Sequence, residues 1–285
     1  MTPFFSALIR HRAGLVGFTL IVILLLVAVL GPWLGLPSPT KSNLLMRMQP
    51  PSWNSFLSAG AHPLGTDELG RDVLSRIIHG SRMTLMISLI AVLLGGAVGV
   101  LLGIIAGYYG GIVDRVLMRI VDIQLALPLM LLALLVVAAF GPSVQNLIMV
   151  LALTSWIRYA RIIRGQVLSL REQEFIQSAH AIGASAWRIM WRHIFPNVLT
   201  PALVVATLEL ARLIIMDAAL SFLGLGIQPP NPSWGRMLAD GRVYISSAWW
   251  IVTFPGLAIL LTVLSVNLFG DWLRDYFDPK MRTQR

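Results

Sequence analysis

Charge is missing from this chain over distances that no water-soluble fold of its size leaves bare. From Ala13 to Thr40, from Met83 to Ile112 and from Ile123 to Ile157 there is no Asp, Glu, Lys or Arg. Each run exceeds the roughly 20 apolar residues a helix needs to cross a bilayer. Over all 285 residues, 56% are hydrophobic and 12% charged, against about 25% charged in an ordinary soluble domain. The mean hydropathy is +0.77. So little polar side chain cannot clothe a globule in water, and lipid must cover much of the surface.

The first run follows Arg10 and Arg12 and is far longer than the roughly 7–15 residues of a signal-peptide core, so it reads as a retained membrane helix. The net charge of +9 would suggest nucleic acid in a soluble protein. Here only Lys41 and Lys280 are lysines, and the arginines gather at the ends of apolar runs without interleaved aromatics. That pattern sets helix orientation, and nucleic acid is excluded as a partner. With no cysteine, disulfides, Cys-ligated zinc and thiol catalysis are excluded too.

The fold class expected is an all-α integral membrane protein with about six transmembrane helices. The spans are placed at Gly14–Leu36, Met83–Ile112, Val116–Phe140, Ser143–Arg158, Asn197–Leu225 and Ala248–Phe269. Pro128 should kink the third, and the turn at 140–143 should separate it from the fourth. Gly99 and Gly103 form a GxxxG pair that lets another backbone approach, with ordinary packing inside the bundle as the plain reading. The organisation is then a terminus 1–13, a span 14–36, a loop 37–82, a five-helix core 83–270 and a terminus 271–285. Within 37–82, Glu68–Arg82 puts Leu69, Val73, Leu74, Ile77 and Ile78 on one helical face. Such a helix fits both a position along the membrane surface and a cap packed on the bundle.

Fourteen Lys and Arg lie on the side of the termini and of the 158–196 segment, and seven on the side of the 37–82 and 226–247 loops. The positive-inside rule therefore puts both termini and the 158–196 segment in the cytoplasm.

No enzyme site is legible. There is no Gly-Lys-Ser/Thr phosphate loop, no His-Glu-x-x-His pair and no Gly-x-Ser-x-Gly elbow, so the chain is not expected to hydrolyse ATP, bind a cofactor or hold a metal by these routes. Charges within spans are costly and face protein or water. Arg119 with Asp122, and Glu209 with Arg212, are spaced i, i+3 and suit mutual neutralisation; lining a pathway is the alternative. Asp217 has no local partner, and fits either a pathway or pairing with another helix.

The segment 171–196 is the most informative. Glu174–Ile182 reads as a short helix ended by Gly183, and Ser185 caps a second, Ala186–Phe195, ended by Pro196. Trp187, Ile189, Trp191 and Ile194 are expected to bury against the chain's own bundle and leave the glycine elbow exposed for a partner.

Here the sequence resembles the EAA loop of binding-protein-dependent ABC importers. Gln177-Ser178-Ala179, Gly183 and Phe195-Pro196 keep that loop's spacing, with Gln177 for Glu, Ser178 for Ala and Phe195 for Leu. Gly65–Arg76, Ser221–Pro230 with Ser233–Gly235, and Asn267–Asp275 with Asp278-Pro279 resemble signatures of dipeptide, oligopeptide and nickel permeases of the second, C-type. The resemblance implies one permease subunit of an ATP-driven importer in a bacterial or archaeal inner membrane. It implies a homologous second permease, two ATPase subunits that use ATP and Mg, and an extracytoplasmic solute-binding protein. It further implies that Gln177, Ser178, Ala179, Gly183, Ala184, Ser185, Trp187 and Pro196 couple the subunit to the ATPases. Arg119, Asp122, Glu209, Arg212 and Asp217 remain candidates for the pathway or its packing. Di- and oligopeptides lead as solutes, with nickel chelates, glutathione and opines carried by similar subunits. A secondary transporter would show internal repeats, and none is visible. A purely structural membrane protein would need no pathway.

Overall fold

The computed structural model describes residues 3–52 and 62–277. Asp278, Pro279, Lys280, Arg282 and Arg285 lie outside the described residues. The architecture is a bundle of helices: among the described residues five are long and apolar enough to cross a membrane, or up to six if one bent pair counts as a span.

A short helix α1 (Pro3–Arg10) precedes α2 (Arg12–Leu30), whose entry is capped by the His11 ring accepting from the Gly14 amide at 3.0 Å. α2 lies against the last helix, α11 (Trp250–Phe277). Gly17 makes this possible: a Cβ there would stand 2.7 Å from the Ser265 carbonyl and 2.8 Å from the Phe269 nitrogen. Phe4 stacks edge-on against Trp272, so α1 folds back on the end of α11.

The second span is longer than its uncharged run. α3 (Val73–Tyr109) is one helix of 37 residues. The turns expected over Glu68–Arg82 begin only at Val73, where the Asp72 carboxylate caps the Ser75 amide at 2.7 Å, and then continue unbroken into the membrane span. No separate helix forms among the described residues, because Val73 is buried, and Ile77 partly buried, against Met237, Trp250 and Ile251. The segment is neither a separate surface helix nor a separate cap but the first turns of α3, with its apolar face against α10 (Trp234–Gly241) and α11. The exposed Arg82 does not interrupt the helix.

The third span is broken rather than kinked. α4 (Gly111–Leu125) and α5 (Leu129–Phe140) meet at 85°. Pro128 is extended (ψ 132°); it lacks a donor and pushes its predecessor out of the helical region.

α6 (Val144–Arg171) continues thirteen residues past its expected end at Arg158. Charge did not stop it because α4 supplies counter-charges: Arg161 meets Asp122 at 2.5 Å, and Arg164 is paired with Asp114. α3 and α6 form the most intimate pair in the fold. Gly103 sits against the Ala160 carbonyl, 2.8 Å from where its Cβ would stand, and Gly99 against Trp156 and Tyr159. The GxxxG pair is thus used inside this bundle.

The remaining elements are α7 (Glu174–Ala181), α8 (Ala186–Ile189), a π turn over Met190–Ile194, α9 (Phe195–Phe222) and α10 (Trp234–Gly241). The helix expected to end at Pro196 does not end there. The wide turn closes from the Phe195 amide to the Met190 carbonyl, and such i→i−5 turns absorb a local change of pitch. Pro196 then sits in the first turn of α9, where a missing donor is tolerated.

Candidate functional site

Two ends of the bundle and its middle carry the chemistry. At the elbow end, α7 is tied down by Ile176 and Ala179, both buried, while Gln177 and Ser178 face outward. The Gln177 amide donates to the Glu172 carbonyl at 3.3 Å. The helix closes as a Schellman motif: the Gly183 amide reaches the His180 carbonyl at 2.9 Å, and the Ala184 amide reaches the Ala179 carbonyl at 3.1 Å. That closure needs a left-handed residue at the turn, and Gly183 has φ +77°. Ser185 then accepts from the Arg188 amide at 3.4 Å and opens α8.

Ile189 and Ile194 are fully buried and anchor the return helix of the elbow, as expected. The two tryptophans are not: Trp187 is 67% exposed and Trp191 lies at the surface. Their rings meet at a tilt with centroids 5.2 Å apart, and Trp191 meets Phe195 in the same way at 5.0 Å. Positions 187 and 191, one turn apart, share the outer face, while Ile189, Met190 and Ile194 line the buried side. Beside the elbow lies an open groove of about 570 Å³ lined by Phe175, Ser178, Ala179, Ile182, Ala184 and Arg188, among others. At its tip Ile182 is 84% exposed, and the space a Gly183 side chain would fill is empty.

In the middle of the bundle Glu209 and Arg212 pair, with Nε and Nη2 at 3.0 and 2.8 Å from the same Oε2. Arg158, which the sequence placed at the edge of a loop, reaches the other oxygen of Glu209 at 3.3 Å. The expected Arg119–Asp122 pair is not made. Val121 is the buried residue of α4, seated against Trp156, Ile157 and Ala160, which turns Asp122 toward Arg161 of α6. Arg119 stays exposed with no ion pair among the described residues. Asp217 is fully buried; Ser221 Oγ donates to its Oδ1 at 3.4 Å, and its Oδ2 has no partner among the described residues.

At the loop end, two of the sequence signatures converge. Asp67 pairs with both Arg71 (2.6 Å) and Arg76, and Asp240 of α10 lies 3.5 Å from Arg76 and 2.8 Å from Arg236. The Trp250 indole donates to the Thr66 carbonyl at 3.0 Å and the Trp234 indole to the Ile77 carbonyl at 2.9 Å. Gly235 packs onto α9, 2.6 Å from Ala218 Cα where a Cβ would stand. Burial, and then the neighbouring Asp67 charge, push the Glu68 carboxyl above the ordinary range.

Sequence reasoning missed Arg158, Arg161, Arg236 and Asp240 as members of networks. Only the i+4 spacing of Arg236 and Asp240 was legible; the others meet partners far away in the chain.

Two family descriptions match the chain. Residues 99–283 match the binding-protein-dependent transport system inner membrane component, and residues 3–51 match the N-terminal TM domain of oligopeptide transport permease C. The dipeptide transport system permease protein DppC of Escherichia coli (strain K12) is 46% identical over 285 residues, covering 99% of this chain and 95% of that protein. The di/tripeptide transport system permease protein DppC of Pseudomonas aeruginosa (strain UCBPP-PA14) is 41% identical over 284 residues, covering 99% and 93%. Among solved structures, a chain of the MetNI methionine ABC transporter in an inward-facing conformation aligns with TM-score 0.57 at 20% identity, over 71% of this chain and 97% of that one. At that identity the likeness speaks for the fold.

Proposed function

The chain belongs to the family of binding-protein-dependent transport system inner membrane components, and from that premise we propose that it forms half of the translocation pathway of an ATP-driven importer of short peptides. The peptide assignment rests on the relatives, whose names specify dipeptides or di- and tripeptides. The other half is a homologous permease. ATP and Mg are used by two ATPase subunits, and an extracytoplasmic binding protein delivers the solute. Both termini and the elbow face the cytoplasm, which the excess of Lys and Arg on that side favours.

Coupling to the ATPases runs through Gln177–Trp187. The observation that carries this is the exposed tip: Ile182, largely bare, next to a left-handed Gly183 in a rigidly closed turn. A large apolar side chain at the apex of an ordered turn is the kind of knob that fits a groove on another protein. Ala179 and Ala184 belong to the floor of the turn, Ser185 fixes the return helix, and Pro196 begins the span that receives the movement. Exposed Trp187 extends the contact surface.

The test uses the absence of native cysteine. In the assembled complex, Ile182→Cys should crosslink to an ATPase subunit through a short bifunctional thiol reagent, with a yield that changes between nucleotide-free and ATP-trapped states. If Ile182→Cys reacts freely with a soluble thiol label in the intact complex and never crosslinks to an ATPase subunit, the elbow is not the coupling contact.

A further inference from the structure

The middle of the bundle holds one positive charge too many. α6 and α9 each have 28 residues, and Arg158 and Glu209 are each the fifteenth of their helix. At 1.5 Å per residue both lie about 20 Å from either end of these elements, midway along helices long and apolar enough to cross a membrane. Arg161 and Arg164 each have an aspartate on α4. Arg158 and Arg212, by contrast, share the single carboxylate of Glu209, which is 2% exposed.

The sharing is asymmetric. Arg212 spends Nε and Nη2 on Glu209 Oε2, whereas Arg158 commits only Nε, at 3.3 Å from Oε1. The two Nη groups of Arg158 have no partner among the described residues, and its side chain is 58% exposed. Next to this triad the Tyr159 hydroxyl is buried without a partner among the described residues, within electrostatic reach of Glu209. From Arg158 an exposed stripe descends α6 through Ile162 and Gly165 to Ser169, and nothing lies within 4 Å of where a Gly165 side chain would be.

A surplus guanidinium at this depth does not face hydrocarbon, which costs about 2.5–3.5 kcal/mol even on the mildest scale. It faces water or a counter-charge. An arginine whose Nη pair is free presents two N–H groups in a fixed fork, the geometry that receives a carboxylate bidentately. Glu209, held from both sides, sets the direction of the fork and keeps the net charge at +1 rather than +2. We propose that Arg158 and Arg212, mounted on Glu209, form a carboxylate-recognition site at the midpoint of the pathway, which takes the free C-terminal carboxylate of a peptide in transit. This rests on the peptide-importer reading above. It would place a specific charge contact for the solute within the span.

The test has two arms in the complete reconstituted complex. In the first, Ile162→Cys, one turn below Arg158 on the exposed stripe, is labelled with an anionic and with a cationic methanethiosulfonate of similar size. The anionic reagent should react several-fold faster, after normalisation to a free thiol. That preference should collapse on adding Arg158→Gln, and a C-terminally free dipeptide should slow labelling more than its C-terminal amide. In the second arm, Arg158→Gln should raise the KM for peptide uptake about tenfold or more, since one of the fork's two charge-assisted hydrogen bonds alone is worth about that much, while ATP hydrolysis persists. Arg158→Lys, which keeps charge without the fork, should recover part of the loss. Three results overturn the proposal: no labelling of Ile162→Cys in any nucleotide state, which would place this face against the partner permease; labelling without charge preference; or an unchanged KM in Arg158→Gln. If the wild-type complex carries no peptide, the importer reading fails while the labelling arm still judges the anion site.

Discussion

At Gly183 the backbone has φ +77°, and the place of a side chain is empty. The two facts separate strain from crowding. A β-branched residue would add on the order of 1–2 kcal/mol of backbone strain without any clash inside the subunit. That is small beside the packing of a bundle, so Gly183→Val should insert and assemble. It should nevertheless displace Ile182 and Ala184, the residues that shape the elbow's tip. The expected outcome is a complex whose ATP hydrolysis continues while peptide uptake falls severalfold or more, measured side by side in proteoliposomes. Uptake and hydrolysis both at wild-type levels would show that the elbow does not transmit force. This glycine was legible in the sequence because a helix signal precedes it and a capping serine follows it. Glu209 and Arg212 were legible for a similar reason, being one turn apart. Arg158 was not. A lone arginine after an uncharged run reads as the membrane boundary, and its partner is 51 positions downstream on another helix.

The elements differ from their expected bounds wherever tertiary contacts outbid local signals. α6 runs on through three arginines because α4 and α9 supply carboxylates. α3 absorbs an amphipathic segment because α10 and the start of α11 cover its apolar face. Pro128 breaks its span by 85° where Pro196 breaks nothing, since a π turn precedes the second proline and nothing comparable precedes the first. None of these outcomes is encoded within a window of one helix. The glycine stripe of α3 was legible as a packing face, and its partner was not. It makes a direct prediction about α6. A side chain at Gly103 has no room, with the Ala160 carbonyl and Ile163 Cβ at 2.8 and 2.9 Å from a Cβ, whereas Gly165 is open. Overpacking of this kind costs typically 1–3 kcal/mol or more. Gly103→Leu should therefore lower the thermal midpoint of the detergent-solubilised complex by several degrees and cut its yield, while Gly165→Ala should leave both unchanged. Equal behaviour of the two variants would contradict the α3–α6 interface.

For the whole molecule, composition alone dictated a helical membrane protein, and the ends of the bundle then divide the labour. One end is fixed by buried ion pairs among Asp67, Arg71, Arg76 and Asp240; the other carries the exposed elbow. Placing Arg158 inside a span reduces the elbow-side count from 14 to 13, against seven, so the proposed orientation stands. Leu45→Cys, exposed at the loop end, should react with an impermeant thiol reagent only from outside intact cells, and Ser185→Cys only after the cytoplasm is opened. Reaction of both from one side would sink the topology. The central claim is that ATP, spent by other subunits, drives peptides through a pathway of which this chain is an obligate half. Dipeptide accumulation in proteoliposomes holding the second permease, the two ATPases and the binding protein, with and without this chain and with all ion gradients dissipated by ionophores, tests it most directly. The account predicts accumulation that requires both this chain and ATP and is indifferent to the ionophores. Accumulation that persists without the chain, or that follows an ion gradient rather than ATP, would contradict it.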